Sequence, residues 1–368
     1  MAKLDTPFAP DWVSPPGDTI LDIIEERGWP QTELATRLGY STKHTNQLIK
    51  GKVPLTEDAA VRLERVLGGS VGFWLAREAK YRERCVRLEA AQKEAEWISW
   101  LDELPVKQLM DAGAIPKQRV DRKSKPDLVE KCLRFFGVAS PEEWRGHYAE
   151  MQCSFRRSRA EQSDVGAISS WLRMGEQHAE KLDPRKYDRN QFIEVLPQIR
   201  QLTTLPPEEF EPQLRNYFKQ AGVSFVLVPA IPKARVSGVA RWLNPHRPLI
   251  QLSLYGKTND KFWFTLFHEA AHILLHSKEK KSVFLDDPNK GHADNPEEHE
   301  ANIWAGDFLI PPEFKPYLPT IKSKAAACDL ARQAGVHPGI VVGRLQHDGL
   351  IKPSWMNDLK DSFRFAKN

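Results

Sequence analysis

Phe262-Trp-Phe-Thr-Leu-Phe-His268-Glu269-Ala-Ala-His272-Ile-Leu-Leu-His276 contains neither proline nor glycine, and its apolar side chains fall at nearly every angle of a helical wheel. A helix that is apolar all round is a buried one. Three imidazoles and a carboxylate carried into such an interior need partners, since a buried polar group without one costs roughly 2–7 kcal/mol. The spacing suggests the partner. His268 and His272 are four residues apart, so they lie one turn from each other on the same face. This is the H-E-x-x-H arrangement, in which two imidazoles hold a zinc ion and the intervening glutamate, here Glu269, is the general base. The plainer alternative is a buried helix whose histidines satisfy one another and nearby carbonyls.

Downstream, Asn295-Pro-Glu297-Glu298-His299-Glu300-Ala-Asn302-Ile-Trp-Ala-Gly-Asp-Phe-Leu-Ile-Pro311 reads as a second, amphipathic helix. Its acidic start suits the helix dipole, and Pro311-Pro312 ends it. A third ligand from this separate helix completes a three-ligand site with one open position. Upstream, three strands are expected: Val223-Ser-Phe-Val-Leu-Val-Pro, Gly238-Val-Ala-Arg-Trp-Leu-Asn and Pro248-Leu-Ile-Gln-Leu-Ser-Leu. Asn244-Pro-His-Arg-Pro forms the turn between the last two, which exposes His246. A small sheet delivered just before such a helix is the layout of zinc peptidases, where an edge strand receives an extended peptide by strand addition.

The chain has 368 residues, enough for two or three domains with cores of their own. Hydrophobic content of 41% and charged content of 28% describe a globular protein. A net charge of +4 is too mild to argue for nucleic acid by itself. No apolar run reaches the ~18–20 residues that span a bilayer, and no secretory signal is visible, so no membrane partner is expected. Cys85, Cys132, Cys153 and Cys328 are scattered without C-x-x-C spacing and read as reduced thiols of a cytoplasmic protein. A thiolate on the metal's open position is a regulatory possibility, though nothing selects which cysteine.

Residues 1–13 read as a loose arm. Asp18-Thr19 then caps a helix carrying Ile20, Leu21, Ile23 and Ile24, which stops at Gly28. Gln31 to Leu38 forms a short helix ended by Gly39, and Ser41 caps another over Thr42 to Lys50. Thr56 caps a further helix ahead of Gly68-Gly69. Two short helices joined through Gly-Tyr-Ser have the composition of a helix-turn-helix. The second has few apolar residues besides Leu48 and Ile49, and offers Thr42, Lys43, Asn46 and Gln47, which suit base edges and phosphates better than a core.

Between these ends, Ala76 to about Ile98 is a charged, solvated connecting or dimer-forming helix. Lys117, Arg119, Arg122, Lys123 and Lys125 lie in a basic stretch that reads as a solvated loop. Residues 151–222 are helical again, with Trp171, Phe192, Leu196, Ile199, Phe210 and Phe218 as core. The C-terminal stretch 325–345 has a helix-turn-helix cadence, but Ala331 and Leu345 look like core and its second element is glycine-rich, so it reads as packing.

Residues 15–78 resemble the XRE-type helix-turn-helix of HigA-like antitoxins. The stretches Pro15-Pro-Gly-Asp, Gln31-Thr-Glu-Leu-Ala-Thr-Arg-Leu-Gly, Ser41 through Lys50-Gly-Lys and Leu67-Gly-Gly-Ser-Val-Gly-Phe-Trp-Leu carry the likeness. Thr45 departs from the pattern at a turn position that is usually apolar. The resemblance implies that the helix after Ser41 enters the major groove, that Gln31 touches backbone or base, and that the protein binds an operator in double-stranded DNA as a homodimer.

Residues 151–368 resemble the ImmA/IrrE metallopeptidases, through Phe262 to His276, Glu297-Glu298-His-Glu300-Ala-Asn302 and Phe308-Leu-Ile-Pro311. Counted back from Leu309-Ile-Pro311, that family's third ligand falls on Glu298, with Glu300 and Glu297 as alternatives one or two residues away. Asn302, four residues after Glu298, is placed to orient its carboxylate. His276 extends the face of His268 and His272 by a further turn and reads as a supporting or buried structural residue rather than a ligand.

The expected architecture is mainly α, or α+β overall. It has a helix-turn-helix bundle over 1–78, a helical connector over 79–150, and a zincin-like domain over 151–368 with a small sheet. Three functions compete. One is a DNA-tethered zinc endopeptidase that cleaves a repressor- or antitoxin-like protein after a signal. Another is an antitoxin or transcription factor whose metal domain only senses or binds a partner. The third is a zinc hydrolase of another bond type, with the helix-turn-helix serving dimerisation.

Overall fold

The computed structural model describes residues 14–148, 164–183, 185–276, 284–285 and 296–365; the arm at 1–13 and Cys153 lie outside them. The protein is mainly α-helical with one small mixed sheet. The chain folds as two units, residues 1–98 with 125–127, and residues 99–124 with 128–368.

The first unit contains α1 (Pro16–Glu26), α2 (Gln31–Leu38), α3 (Thr42–Ile49), α4 (Glu57–Leu67) and α5 (Val71–Glu96). The first helix starts earlier than Asp18-Thr19 suggests, because Pro16 takes its first position, where the missing N–H costs nothing and φ is preset. Ser41 caps α3 by accepting from the His44 N–H at 3.2 Å. Thr56 and Ser70 cap α4 and α5 in the same way. Ile20, Ile24, Leu34, Leu38, Leu48, Ile49, Leu63 and Trp74 make one core. Removing each such side chain from water contributes about 1.5–3 kcal/mol. Beyond Glu78, the exposed or half-buried α5 is the solvated helix its charges imply.

After α5 come a 3-10 turn at Trp97–Glu103, α6 (Val106–Asp111), α7 (Lys125–Phe136) and α8 (residues 141–148), most of whose residues belong to the second unit. Trp100, Phe136, Trp144 and Tyr148 pack their rings edge to face there. Next come α9 (Val165–Glu180), α10 (Arg189–Gln201), α11 (Pro207–Gln220), β1 (Ser224–Leu227), β2 (Gly238–Asn244) and β3 (Arg247–Leu252). They are followed by α12 (Asn259–Leu275), β4 (Phe284–Leu285), α13 (Pro296–Leu309), α14 (Lys324–Ala334) and α15 (Pro338–His347).

The sheet runs β1-β3-β2-β4, with β1 parallel to β3 and the other pairs antiparallel. The three expected strands are therefore present, and His246 is exposed in its turn. The edge beyond β2 is taken by β4, which pairs with Val239 and Ala240. The six expected core residues of the helical region are all buried. Arg241 on β2 is buried as well, donating to Glu176 at 2.6 Å and to the Leu172 carbonyl at 2.6 Å, which ties the sheet to α9.

The core around α12 joins Phe192 and Ile199 of α10, Phe210 and Phe218 of α11, Phe225 and Ile250 of the sheet, Ala305 of α13, Ala331 of α14 and Leu345 of α15. Ala331 and Leu345 are fully buried, so the C-terminal helices pack, as their composition implies. The glycines of α15 explain how closely. A Cβ on Gly339 would sit 2.6 Å from Asn259 Oδ1, and one on Gly343 2.6 Å from Asp260 Oδ2. The start of α12 is pinned by Lys360 Nζ on Asp260 Oδ2 at 2.6 Å, a nearly buried ion pair.

Candidate metal centre

The buried surface of α12 is continuous from Asn259 to Leu274 apart from Lys261 and Phe264, as the all-round apolar sequence requires. Its polar residues are inside with the rest. His268 and His272 are 1% and 2% exposed and Glu269 is fully buried. The four-residue spacing brings the two ring Nε2 atoms to 3.0 Å of each other.

Packing of α13 against α12 supplies the third group. Glu298 Oε2 lies 3.2 Å from His268 Nε2, and Oε1 lies 3.4 Å from His272 Nε2. Of the three candidate carboxylates, Glu298 is therefore the one brought to both imidazoles. Glu300 Oε2 instead meets His276 Nε2 at 3.1 Å. Asn302 stands half-buried one turn beyond Glu298 and, among the described residues, makes no hydrogen bond to it. Arg200 of α10 fixes the far end of α13, donating from Nε and Nη2 to the Leu309 carbonyl at 3.2 and 3.0 Å.

The electrostatics suit a cation. Burial drives the His272 ring toward its neutral form, down to about 4, against the opposing pull of Glu298. Burial also opposes ionisation of Glu298, but its close contacts with the His268 and His272 rings outweigh it and hold the carboxyl well below the usual range. Neutral imidazoles and an ionised carboxylate are the forms that bind metal. One ligand atom from each of the three residues falls within 4.8 Å of the others, and all three are buried. Lone pairs crowded this closely are reconciled by a positive ion between them, so these residues fit a metal, and two imidazoles with one carboxylate match the donor set of catalytic zinc. No cysteine joins this cluster among the described residues; burial pushes the Cys132 thiol up to about 12, which leaves it unreactive.

Gly238 escaped the sequence reading. A Cβ there would lie 2.7 Å from Glu269 Oε1 and 2.6 Å from Thr265 Cγ2, so only glycine lets β2 lie against the Glu269 carboxylate. A glycine at the first position of a strand is the available signal for such an approach.

The candidate DNA residues are all on the first unit. Thr42 and Lys43 are exposed at the start of α3, while Asn46 and Gln47 are half-buried. Asn46 Nδ2 donates to Gln31 Oε1 at 3.1 Å, so the start of α2 holds a side chain of α3. Thr45 is fully buried and its hydroxyl has no partner among the described residues, the expected consequence of a hydroxyl at an apolar turn position.

A buried H-E-x-x-H helix with a carboxylate from a second helix has the donor arrangement of His2Glu metal centres. Residues 226–346 match the family model of the IrrE N-terminal-like domain, a peptidase family, and residues 20–74 match that of the helix-turn-helix. The chain thus carries a helix-turn-helix DNA-binding domain fused to an IrrE-like peptidase domain. A comparison with curated proteins finds no match. No helix among the described residues is long and apolar enough to cross a membrane.

Proposed function

We propose that this protein is a cytoplasmic transcriptional regulator carrying a zinc-dependent endopeptidase. The part over 1–78 would address an operator as a homodimer, and the part over 151–368 would cleave a repressor- or antitoxin-like protein after a signal. The observation that carries this reading is the convergence of His268 and His272 of the buried α12 with Glu298 of α13, with Glu269 buried on the same α12. The intact ligand set and intact Glu269 favour a working hydrolase over a domain that only senses a partner.

His268, His272 and Glu298 would hold the zinc, which when bound supplies a Lewis acid that polarises a peptide carbonyl and makes water nucleophilic near neutral pH. Glu269 accepts the proton from the attacking water at its carboxylate and returns it to the amide nitrogen as the carbon–nitrogen bond breaks. Gly238 leaves the room in which that carboxylate lies against β2. The burial of α12 keeps bulk water from its two imidazoles, which strengthens every charge interaction there.

The test compares the wild type with Glu269→Gln in cells, reading new protein N-termini by mass spectrometry and the transcriptional output together. We expect cleavage to fall ~10²–10⁴-fold while the purified variant still holds one zinc per chain. Equal cleavage in both proteins would remove Glu269 from the chemistry. Transcription that responds normally without cleavage would leave the protein a regulator whose metal domain has another use.

A further inference from the structure

His276 and Glu300 lie outside the three-residue cluster, yet both are joined to it. His276 is 8% exposed, and its Nδ1 lies 2.9 Å from Nδ1 of His272. Its Nε2 lies 3.1 Å from Oε2 of Glu300, whose side chain is 62% exposed. The groups form a line that starts at a half-solvated carboxylate on α13 and ends on a ring of the buried cluster.

The direction of this line follows from its outer end. A carboxylate accepts hydrogen bonds and does not donate them, so His276 must carry its proton on Nε2. A neutral imidazole with Nε2 protonated has only a lone pair at Nδ1, and there it accepts. Facing such a neutral ring, His272 carries its own proton on Nδ1, which leaves its Nε2 lone pair directed at His268 and Glu298. Reversing the line would place a proton on His272 Nε2 and block that nitrogen as a ligand.

We infer that Glu300, acting through His276, selects the tautomer of His272 that can bind the metal, and that both are positioning residues for the centre. The inference rests on the zinc reading proposed above and adds residues that touch neither metal nor substrate. Helix α13 therefore serves the centre twice, once through Glu298 directly and once through Glu300 by way of α12. Its two carboxylates are only two residues apart, so they leave the helix on different faces. One shift of α13 would disturb a ligand and the orientation of a second ligand together.

The test is zinc affinity, measured by competition with a chelator on the purified full chain. His276→Phe keeps a ring of similar size and breaks the line; affinity should fall ~10–100-fold, with the metal-free circular dichroism and melting curve unchanged. Glu300→Lys replaces an acceptor by a donor and should weaken zinc similarly, whereas Glu300→Gln, which still offers an acceptor oxygen, should stay within about threefold of wild type. A lysine also repels the ion through space, so Glu300→Lys is repeated on His276→Phe. Relay through His276 predicts that its effect largely vanishes there; the same loss in both backgrounds would overturn the inference. The visible absorption of the cobalt-substituted protein should change in His276→Phe and Glu300→Lys but not in Glu300→Gln. Zinc affinity within twofold of wild type in His276→Phe would overturn the inference as well. If His276→Phe does not fold, the surface substitutions Glu300→Lys and Glu300→Gln decide it, and equal affinities for those two refute the relay. A wild type that holds no zinc, like His268→Ala, would mark failure of the metal reading itself.

Discussion

Helices α3 and α12 each carry polar side chains placed for a task, and they face opposite burial problems. In α3, Thr42 and Lys43 are exposed at the start of the helix, and Leu48 and Ile49 alone anchor its other end. In α12, His268, Glu269 and His272 are enclosed with Phe262, Trp263, Leu266 and Phe267. Exposed polar groups keep their water and cost little, so α3 can present almost any pattern its target needs. Buried ones must be paired, so α12 depends on Glu298, Glu300 and Gly238 from other elements. A buried site is thus tied to the whole fold around it, whereas an exposed reading face needs only a rigid helix beneath it.

The sharpest way to break this contrast is acid. The folded His272 ring titrates at about 4 against an ordinary 6.5. Between those values the unfolded chain binds a proton that the folded ring refuses, so stability falls as pH falls from 6.5 toward 4. The full window is worth roughly 3 kcal/mol. Glu298 acts in the same sense below the ordinary carboxylate range, because its ionised form is favoured in the fold. Native-state hydrogen exchange of the metal-free protein, corrected for intrinsic rates, should therefore show α12 losing protection across this window while α3 holds. Equal responses of the two helices would end the comparison.

A smaller effect belongs to the exposed helix. Gln47→Ala should cost about 1–3 kcal/mol of discrimination at one base pair of an operator, and Lys43→Ala should weaken binding evenly and lower the salt slope by about one. Titrations at several salt concentrations against operator and mismatched duplexes would measure both. Uniform loss for Gln47→Ala would move that residue from base reading to backbone contact.

The smallest effect tests the border between the two kinds of helix. Thr45 sits on α3 but is buried, and its hydroxyl lacks a partner among the described residues. Thr45→Val keeps the shape and removes the hydroxyl, so it should stabilise the first unit by about 1 kcal/mol. The exchange protection of α2 and α3 would report it. A destabilised variant would mean that the hydroxyl is satisfied in solution.

Much of this was legible in the chain alone. The spacing of His268 and His272 sets one face by helical geometry, and an uninterrupted apolar run requires that face to be inside. The caps Ser41 and Thr56 and the three strands were likewise local, because a few neighbouring residues determine them. Asn302 shows the limit: four-residue spacing puts it on the face of Glu298, but spacing carries no information about whether two side chains hydrogen-bond.

What the sequence by itself determined, then, was the pair of imidazoles, the general-base candidate between them and the polar face of α3, all consequences of periodicity within one helix. Only the tertiary structure decided which of three nearby carboxylates meets those imidazoles, and which turns outward to His276. Only the fold brought a glycine from β2 against Glu269. The reason is physical: the choice among Glu297, Glu298 and Glu300 depends on how α13 is rotated against α12, and that rotation is set by packing among Ala305, Leu309 and the core they share, not by any residue's neighbours in the chain.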